Sequence, residues 1–178
     1  PFALLGLGCV VLVFRLGRML TRNAIGGVAA ALLLLSSVEF LLYSRQCRYY
    51  APLCFFTLLL FHEYERSLRG GRHSVAGLCL AATGLIQSHY PVAACMIGSV
   101  GLHFALFGRR IAPLRPMLVA GLSTGMLAIP TLVLIAPNLG NLGSAGRNLD
   151  IASHFWIALD QINRFALPAA AAALGLAL

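Results

Sequence analysis

The feature that most constrains this chain is a succession of apolar runs separated by segments that hold all thirteen of its arginines. The runs cover residues 1–14, 24–43, 49–62, 74–88, 91–107, 117–136 and 166–178. Only 10% of the residues are charged, against about 25% in an ordinary soluble domain. So little polar surface cannot cover so much apolar sequence. We therefore predict an all-α, polytopic transmembrane helix bundle, a single domain over residues 1–178 with about seven spans or part-spans.

Two segments decide how the spans are divided. A single helix over 74–107 would be about 50 Å long, whereas the hydrocarbon core of a bilayer is about 30 Å thick. Pro91 suits the first turn of a new helix, so the sequence predicts two spans joined by a tight turn at 88–91. The segment 137–165 is the one long connection, and its Gly- and Asn-rich start predicts an irregular extracytoplasmic loop that also contains a short amphipathic helix.

The arginines are distributed unequally between the two sides of the predicted membrane. Nine lie in the segments on one side, which are 15–23, 63–73 and 108–116. Four lie in the segments on the other side, which are 44–48, 88–90 and 137–165. The positive-inside rule makes the first side cytoplasmic. Arg45 and Arg48, in the stretch YSRQCRYY, are therefore predicted at the outer membrane surface, against the general bias.

Several other site classes are excluded or unsupported. The net charge of +8 would suit nucleic acid in a soluble protein, but here the arginines follow membrane topology, and we predict no nucleic-acid partner. The five cysteines show no CxxC spacing and predict no disulfide framework. The HExxH pattern is absent, and no His/carboxylate metal site is predicted. His62, His73 and His103 are expected at the cytoplasmic interface as filling residues.

The outer segment carries the residues best suited to binding. The guanidinium groups of Arg45 and Arg48 can bind a phosphate bidentately, and Tyr43, Tyr49 and Tyr50 add hydroxyls at the depth of lipid headgroups. The alternative is structural: the arginines contact lipid headgroups and the tyrosines form an aromatic belt. Because the arginines defy the topology bias, the phosphate-binding hypothesis is the stronger one.

Three further residues are candidates for substrate binding or support. Glu39 lies inside a span, where a carboxylate is costly and is a functional-site hypothesis by default. Its structural alternative is an ion pair or hydrogen bond, for example with Arg45 or Arg48. His89 and Tyr90 occupy the short outer turn, where a histidine can hydrogen-bond a phosphate or a sugar hydroxyl, or cap a helix.

The stretch from RLGRMLTRN to ERSLRG resembles membrane glycosyltransferases that use polyprenyl-phosphate sugars. It is most similar to the dolichyl-phosphate-mannose–protein mannosyltransferase-like family, which includes the bacterial aminoarabinose lipid A transferases. The pattern YSxxxRxY is carried by Tyr43, Ser44, Arg48 and Tyr50, and the later SHYP resembles the family's THY-like span end. The resemblance covers roughly residues 10–110.

The resemblance implies a GT-C fold that transfers a sugar from a polyprenyl-phosphate carrier to a lipid, glycan or protein acceptor. The site would face outward from a bacterial inner membrane, with membrane lipids around it. The family's catalytic acidic motif is expected in an outer loop before Pro1, so the chain is interpreted as an internal fragment that is inactive alone. No cofactor is identified, and a divalent metal is compatible with the family. Arg48, together with Arg45, would stabilise the charge on the leaving phosphate.

Two other hypotheses use the same residues differently. A transporter or flippase of a lipid-linked or anionic substrate would bind with these arginines and perform no chemistry. An inverted internal repeat would favour it, and none is visible. A non-catalytic membrane scaffold is the third hypothesis, in which replacing Arg48 has no effect on any activity.

Overall fold

The structure is a computed structural model that describes residues 2–45, 49–70, 74–108, 111 and 113–145, without the side chains at 43, 45, 132 and 134–145. This part of the chain is helical and contains no strand. The helices are α1 (Phe2–Thr21), α2 (Ala24–Ser36), α3 (Val38–Arg45), α4 (Tyr50–Leu68), α5 (Ser74–Ser88), α6 (Tyr90–Leu106) and α7 (Leu114–Ala145). The predicted all-α class is therefore confirmed.

The tight turn at 88–91 is also present. α5 ends at Ser88 and α6 begins at Tyr90, so a single residue, His89, separates two helices. Pro91 lies in the first turn of α6, where its missing N–H is not needed for a helical hydrogen bond. The stretch 74–107 therefore forms two helices rather than one, as its length required.

The apolar run 24–43, predicted as one span, is two helices, α2 and α3, separated at Ser37. The Ser36 hydroxyl donates to the carbonyl of Leu33 at 2.8 Å, and the Ser37 hydroxyl accepts from the backbone N–H of Phe40 at 3.3 Å. Serine side chains that bond to the backbone compete with the helical ladder and also cap a new helix. Adjacent serines therefore interrupt an otherwise continuous apolar helix.

Three helices extend into segments that were expected to be loops. α1 continues through Arg15 and Arg18 to Thr21, and α4 continues past its apolar run to Leu68. α7 runs to Ala145, so the first part of the predicted loop 137–165 is helical; the rest, with the expected amphipathic helix, lies outside the described residues. Charged residues at helix ends are good helix formers, and glycine or asparagine lowers helix propensity without forbidding a helix.

The first compact unit, Pro1–Leu132, is organised around α1 and α4. α1 packs against α2 and α4, α4 packs against α5, and α5 contacts α6. The crossing of α1 and α2 is close, since a Cβ atom on Gly17 would lie 2.8 Å from the carbonyl oxygen of Gly26. Small residues allow this kind of backbone approach between apolar helices.

The helices bring their connections together at two opposite ends. At one end the rings of Tyr49 and His89 are 4.9 Å apart, which joins the start of α4 to the α5–α6 turn. At the other, Arg69 donates from Nη2 to the carbonyl of Met19 at 3.0 Å, which joins the ends of α4 and α1. We call the first the tyrosine end, defined by Tyr49, Tyr50, His89 and Tyr90. We call the second the arginine end, defined by Arg15, Arg18, Arg22 and Arg69.

The core of this unit is small, and much apolar surface is exposed. The buried cluster consists of Leu60, Tyr64, Leu78, Ala81, Ala82, Leu85, Ala93, Phe104 and Ala120. Within the described chain, α1 alone is both long and apolar enough to cross a membrane. Only 17% of its apolar window is buried, whereas the core helix of a soluble protein is mostly buried. α1 nevertheless packs along two other helices, so it is part of the bundle.

Candidate functional site

The tyrosine end gathers aromatic side chains from three helix boundaries. The rings of Tyr49 and Tyr50 have centroids 4.4 Å apart, and their hydroxyl oxygens are 3.3 Å apart. Tyr49 also contacts the ring of His89, which in turn stacks on Tyr90 at 6.4 Å. Each ring offers an apolar face together with a polar edge. Four of the residues that the sequence predicted for one site are thus neighbours.

His89 has a structural role that sequence analysis left as an alternative. It is the N-cap of α6, with an extended backbone, and its Nδ1 accepts from the backbone N–H of Val92 at 3.4 Å. A nitrogen that accepts a hydrogen bond carries no proton, so the hydrogen of the neutral ring is on Nε2. His89 therefore caps the helix with one nitrogen and can donate to a ligand with the other.

A cavity of about 420 Å³ lies beside the aromatic cluster, with walls from α2, α3, α4 and α6. Most of its wall is apolar, with Leu34, Phe40, Leu53 and Leu58 among its residues. Its polar groups include Ser37, Ser44, Thr57, Glu39 and Tyr50. The structure thus brings Glu39 and Tyr50, two predicted site residues, to one cavity, in which a few polar groups face a mainly apolar wall. This combination is typical of small-molecule and lipid sites.

The position of Glu39 has a local cause. The break at Ser37 begins a new helix, and Glu39 lies in the first turn of α3. The positive end of a helix dipole stabilises a carboxylate there. The alternative role of Glu39, an ion pair with Arg45 or Arg48, involves side chains outside the described residues and stays a prediction.

Three members of the predicted site are described incompletely. Arg48 lies outside the described residues, as do the side chains of Arg45 and Tyr43. The backbone of Arg45 ends α3, and Ser44 beside it contacts the start of α1 near Gly6. The predicted phosphate-binding role of the two arginines therefore stays a prediction.

The arginine end holds a buried ionic network that sequence analysis missed. Glu63 is only 6% exposed, and its Oε1 and Oε2 accept from Nη1 of Arg66 at 3.1 and 3.3 Å. Oε1 also contacts Nδ1 of His62 at 3.0 Å. His62, expected to be an interfacial filling residue, is instead buried beside this carboxylate. A buried carboxylate with several donors is stabilised by them, and breaking the set is costly.

A second polar contact lies next to this network, beyond the apolar run of α4. The hydroxyl oxygen of Tyr64 is 2.6 Å from Nδ1 of His103 on α6. Burial raises the pKa of Tyr64, and the nearby Glu65 carboxylate raises it further. The phenol therefore stays protonated at neutral pH and can donate to the imidazole, which ties α4 to α6. His103 is thus a partner in packing, although it too was expected to be a filling residue.

The sequence contained part of the signal for this network. Glu63 and Arg66 have the i, i+3 spacing of a helical ion pair. The burial of Glu63 depends on Gly77 of α5, because a Cβ atom there would lie 2.5 Å from Cγ of Glu63. Within the described residues, no group of three or more His, Cys, Asp or Glu side chains could hold a metal ion.

No family model, curated protein or solved structure matches this chain.

Proposed function

We propose that this chain is part of a multi-pass membrane glycosyltransferase of the GT-C type, acting on a polyprenyl-phosphate sugar at the outer face of a bacterial inner membrane. The observation that carries the proposal is the arrangement at the tyrosine end. Tyr49, Tyr50, His89 and Tyr90 meet there beside a mainly apolar cavity that contains Glu39. An amphipathic substrate needs these two environments next to one another.

The membrane part of the proposal is supported by the surface of the helices. Large hydrophobic side chains are exposed along α1, α2, α6 and α7, with Leu4, Ile25, Leu102 and Met126 as examples. Soluble monomers rarely expose large contiguous apolar surfaces, whereas lipid-facing helices do so throughout. Several helices are shorter than about 20 residues, and flanking arginine and tyrosine side chains can extend them to the interface.

Each part of the proposed substrate has suitable chemistry. The apolar wall of the cavity suits the isoprenoid chain, and the rings and hydroxyls of Tyr49 and Tyr50 suit the sugar. Nε2 of His89 can donate to a sugar hydroxyl or a phosphate oxygen. Arg48, with Arg45, would hold the phosphate and stabilise the charge that develops on it as the sugar leaves. The acceptor is a lipid, glycan or protein.

The experiment that tests this proposal is sugar transfer by the full-length protein in proteoliposomes, with a radiolabelled polyprenyl-phosphate sugar. We expect Arg48→Ala to lower the rate about 100-fold or more, as removal of a preorganised charge-stabilising donor does. Arg48→Lys should restore part of it, because lysine keeps the charge but lacks the bidentate geometry. Arg115→Ala, at the start of α7 near the arginine end, is the matched control. Unchanged transfer by Arg48→Ala would contradict the proposed role.

One observation favours a transporter of a lipid-linked substrate as the second candidate. The α2–α3 break at Ser37 lies on the wall of the cavity, and transporters commonly form substrate sites at interrupted helices. The same assay separates the two functions. A transporter binds the carrier lipid with a dependence on Arg48 and moves it between leaflets, but the wild-type protein transfers no sugar.

A further inference from the structure

The arginine end contains a cavity that the proposed function does not use. Arg15 and Arg18 are an i, i+3 pair on α1, Arg22 directly follows the end of that helix, and Arg69 joins them from the end of α4. With Phe14, Met19 and His62 these residues line a cavity of about 630 Å³. Four arginines therefore line one space at the end of the bundle.

Most of this positive charge has no described counter-charge. Glu63 is engaged by Arg66 and His62, and Glu65 lies 3.6 Å from Nε of Arg69. In the part of the chain that the structure describes, no ion pair involves the other three arginines of the cavity. Like charges held close together repel one another, and an anion between them would remove that repulsion.

The backbone at Arg22 is an independent observation. Its φ is +55°, in the left-handed region, which residues other than glycine rarely adopt. Helices usually end in this conformation with glycine or asparagine. The Thr21 hydroxyl fixes the turn through contacts with Gly17 and Asn23, and the side chain of Asn23 caps α2. Residues with strained backbone conformations of this kind cluster at ligand-binding sites.

Arg69 is held in place before any ligand arrives. Its Nη2 donates to the carbonyl of Met19, and its Nε faces Glu65. These contacts hold the Arg69 guanidinium beside a cavity whose other arginines lie in or just after the end of α1. A preorganised donor loses less conformational entropy on binding than a mobile one.

The ligand chemistry follows from the donors and from the surroundings. Guanidinium groups bind phosphate oxygens bidentately. Leu20 of α1 and Ile25 of α2, close in sequence to the lining residues Met19 and Arg22, are exposed apolar side chains, at 63% and 72%. We propose that the cavity binds the phosphate of an anionic phospholipid whose acyl chains lie along this apolar surface. The choice of a lipid rests on the proposed membrane location, whereas the phosphate chemistry rests on the arginines alone.

The test is binding of dioleoylphosphatidylglycerol to the full-length protein in mixed micelles, with dioleoylphosphatidylcholine and inorganic phosphate as parallel probes. We expect the anionic lipid to bind in preference to the zwitterionic one, and Arg18→Ala to weaken it about fivefold. Arg115→Ala, an arginine of α7 outside the residues that line the cavity, is the matched control and should change little. Equal weakening by both variants, or no preference for the anionic lipid, would overturn the site.

Arg22→Gly guards against a folding artefact. Glycine relieves the left-handed strain, so this variant should unfold no sooner than the wild type and yet bind the anionic lipid more weakly. Unchanged lipid affinity in this stable variant would overturn the role of Arg22. Competition by millimolar inorganic phosphate with no preference between lipids would overturn the assignment to a lipid. Because the readout is lipid binding and not sugar transfer, a failure of the glycosyltransferase proposal is seen separately.

Discussion

The two ends of the bundle differ in the kind of polar contact that the structure describes. At the tyrosine end the described contacts are between neutral groups: stacked rings, paired hydroxyls and a histidine that caps a helix. At the arginine end a buried carboxylate is shared by a histidine and an arginine, and further arginines surround a cavity. The first end offers donors and ring faces to a ligand, while at the second the ionic groups of α4 also hold the helices together.

Because of this difference, we expect substitutions at the two ends to affect different properties of the protein. Glu63 is packed against α5, so its loss affects the contact between two helices. The tyrosine-end residues lie at helix boundaries, beside a cavity and near the surface. We therefore expect substitutions at the arginine end to act mainly on stability or lipid binding, and substitutions at the tyrosine end to act mainly on substrate turnover.

The largest effect on stability is expected from Glu63→Ala. It removes the acceptor of three contacts and leaves His62 buried without its carboxylate. Arg66 is 42% exposed and can recover water, so we expect a loss of about 2–3 kcal/mol, below the range for a fully buried pair. Unfolding of the purified protein in mixed micelles measures it.

The control for this prediction is Glu65→Ala, two residues further along the same helix. Glu65 and Arg69 are 3.6 Å apart and partly exposed, and such surface pairs contribute about 0.5 kcal/mol or less. If the two substitutions cost the same, the buried network does not stabilise the arginine end, and the contrast between the two ends fails.

A smaller loss is expected from Gly77→Ala. The new methyl group would meet Cγ of Glu63 at 2.5 Å, and Glu63 can retreat only by disturbing its contacts with Arg66 and His62. Overpacking of this kind costs about 1–2 kcal/mol. Gly121→Ala is the matched control, since a Cβ atom there has open space and alanine favours a helix. The same unfolding assay should show the control unchanged or more stable; a control as unstable as Gly77→Ala would argue against a clash.

Local features of the fold could be predicted from the sequence, whereas features that depend on packing between helices could not. The turn at 88–91 followed from helix length and Pro91, which are local quantities. The break at Ser37 lay in an apolar run of ordinary length, and nothing in hydropathy distinguishes a serine that caps a helix from one that does not. The buried state of Glu63 depends on Gly77, fourteen residues away on another helix. The pattern of one helix cannot show that a neighbour leaves room for a carboxylate.

The candidate site shows the same limit. The grouping of Tyr49, Tyr50, His89 and Tyr90 at one end could be predicted from the alternation of spans alone. The cavity beside Glu39 could not, because it depends on how α3, α4 and α6 pack. The basic cavity was hidden for a further reason. Arg15, Arg18 and Arg22 satisfied the positive-inside rule, and that general explanation left no reason to expect that they line one cavity or that the backbone at Arg22 is strained.

The smallest effect on stability, and the sharpest test of the tyrosine end, is expected at His89. His89→Ala removes a long cap contact of 3.4 Å and should cost about 0.5–1 kcal/mol. His89→Asn keeps a side-chain acceptor for the start of α6 and should unfold with the wild type, yet it lacks the ring that contacts Tyr49 and Tyr90. If His89 serves the substrate, both variants lose sugar transfer although only the alanine loses stability. Full transfer by the asparagine variant would reduce His89 to a helix cap, and the tyrosine end would then depend on Tyr49, Tyr50 and the arginines for its chemistry.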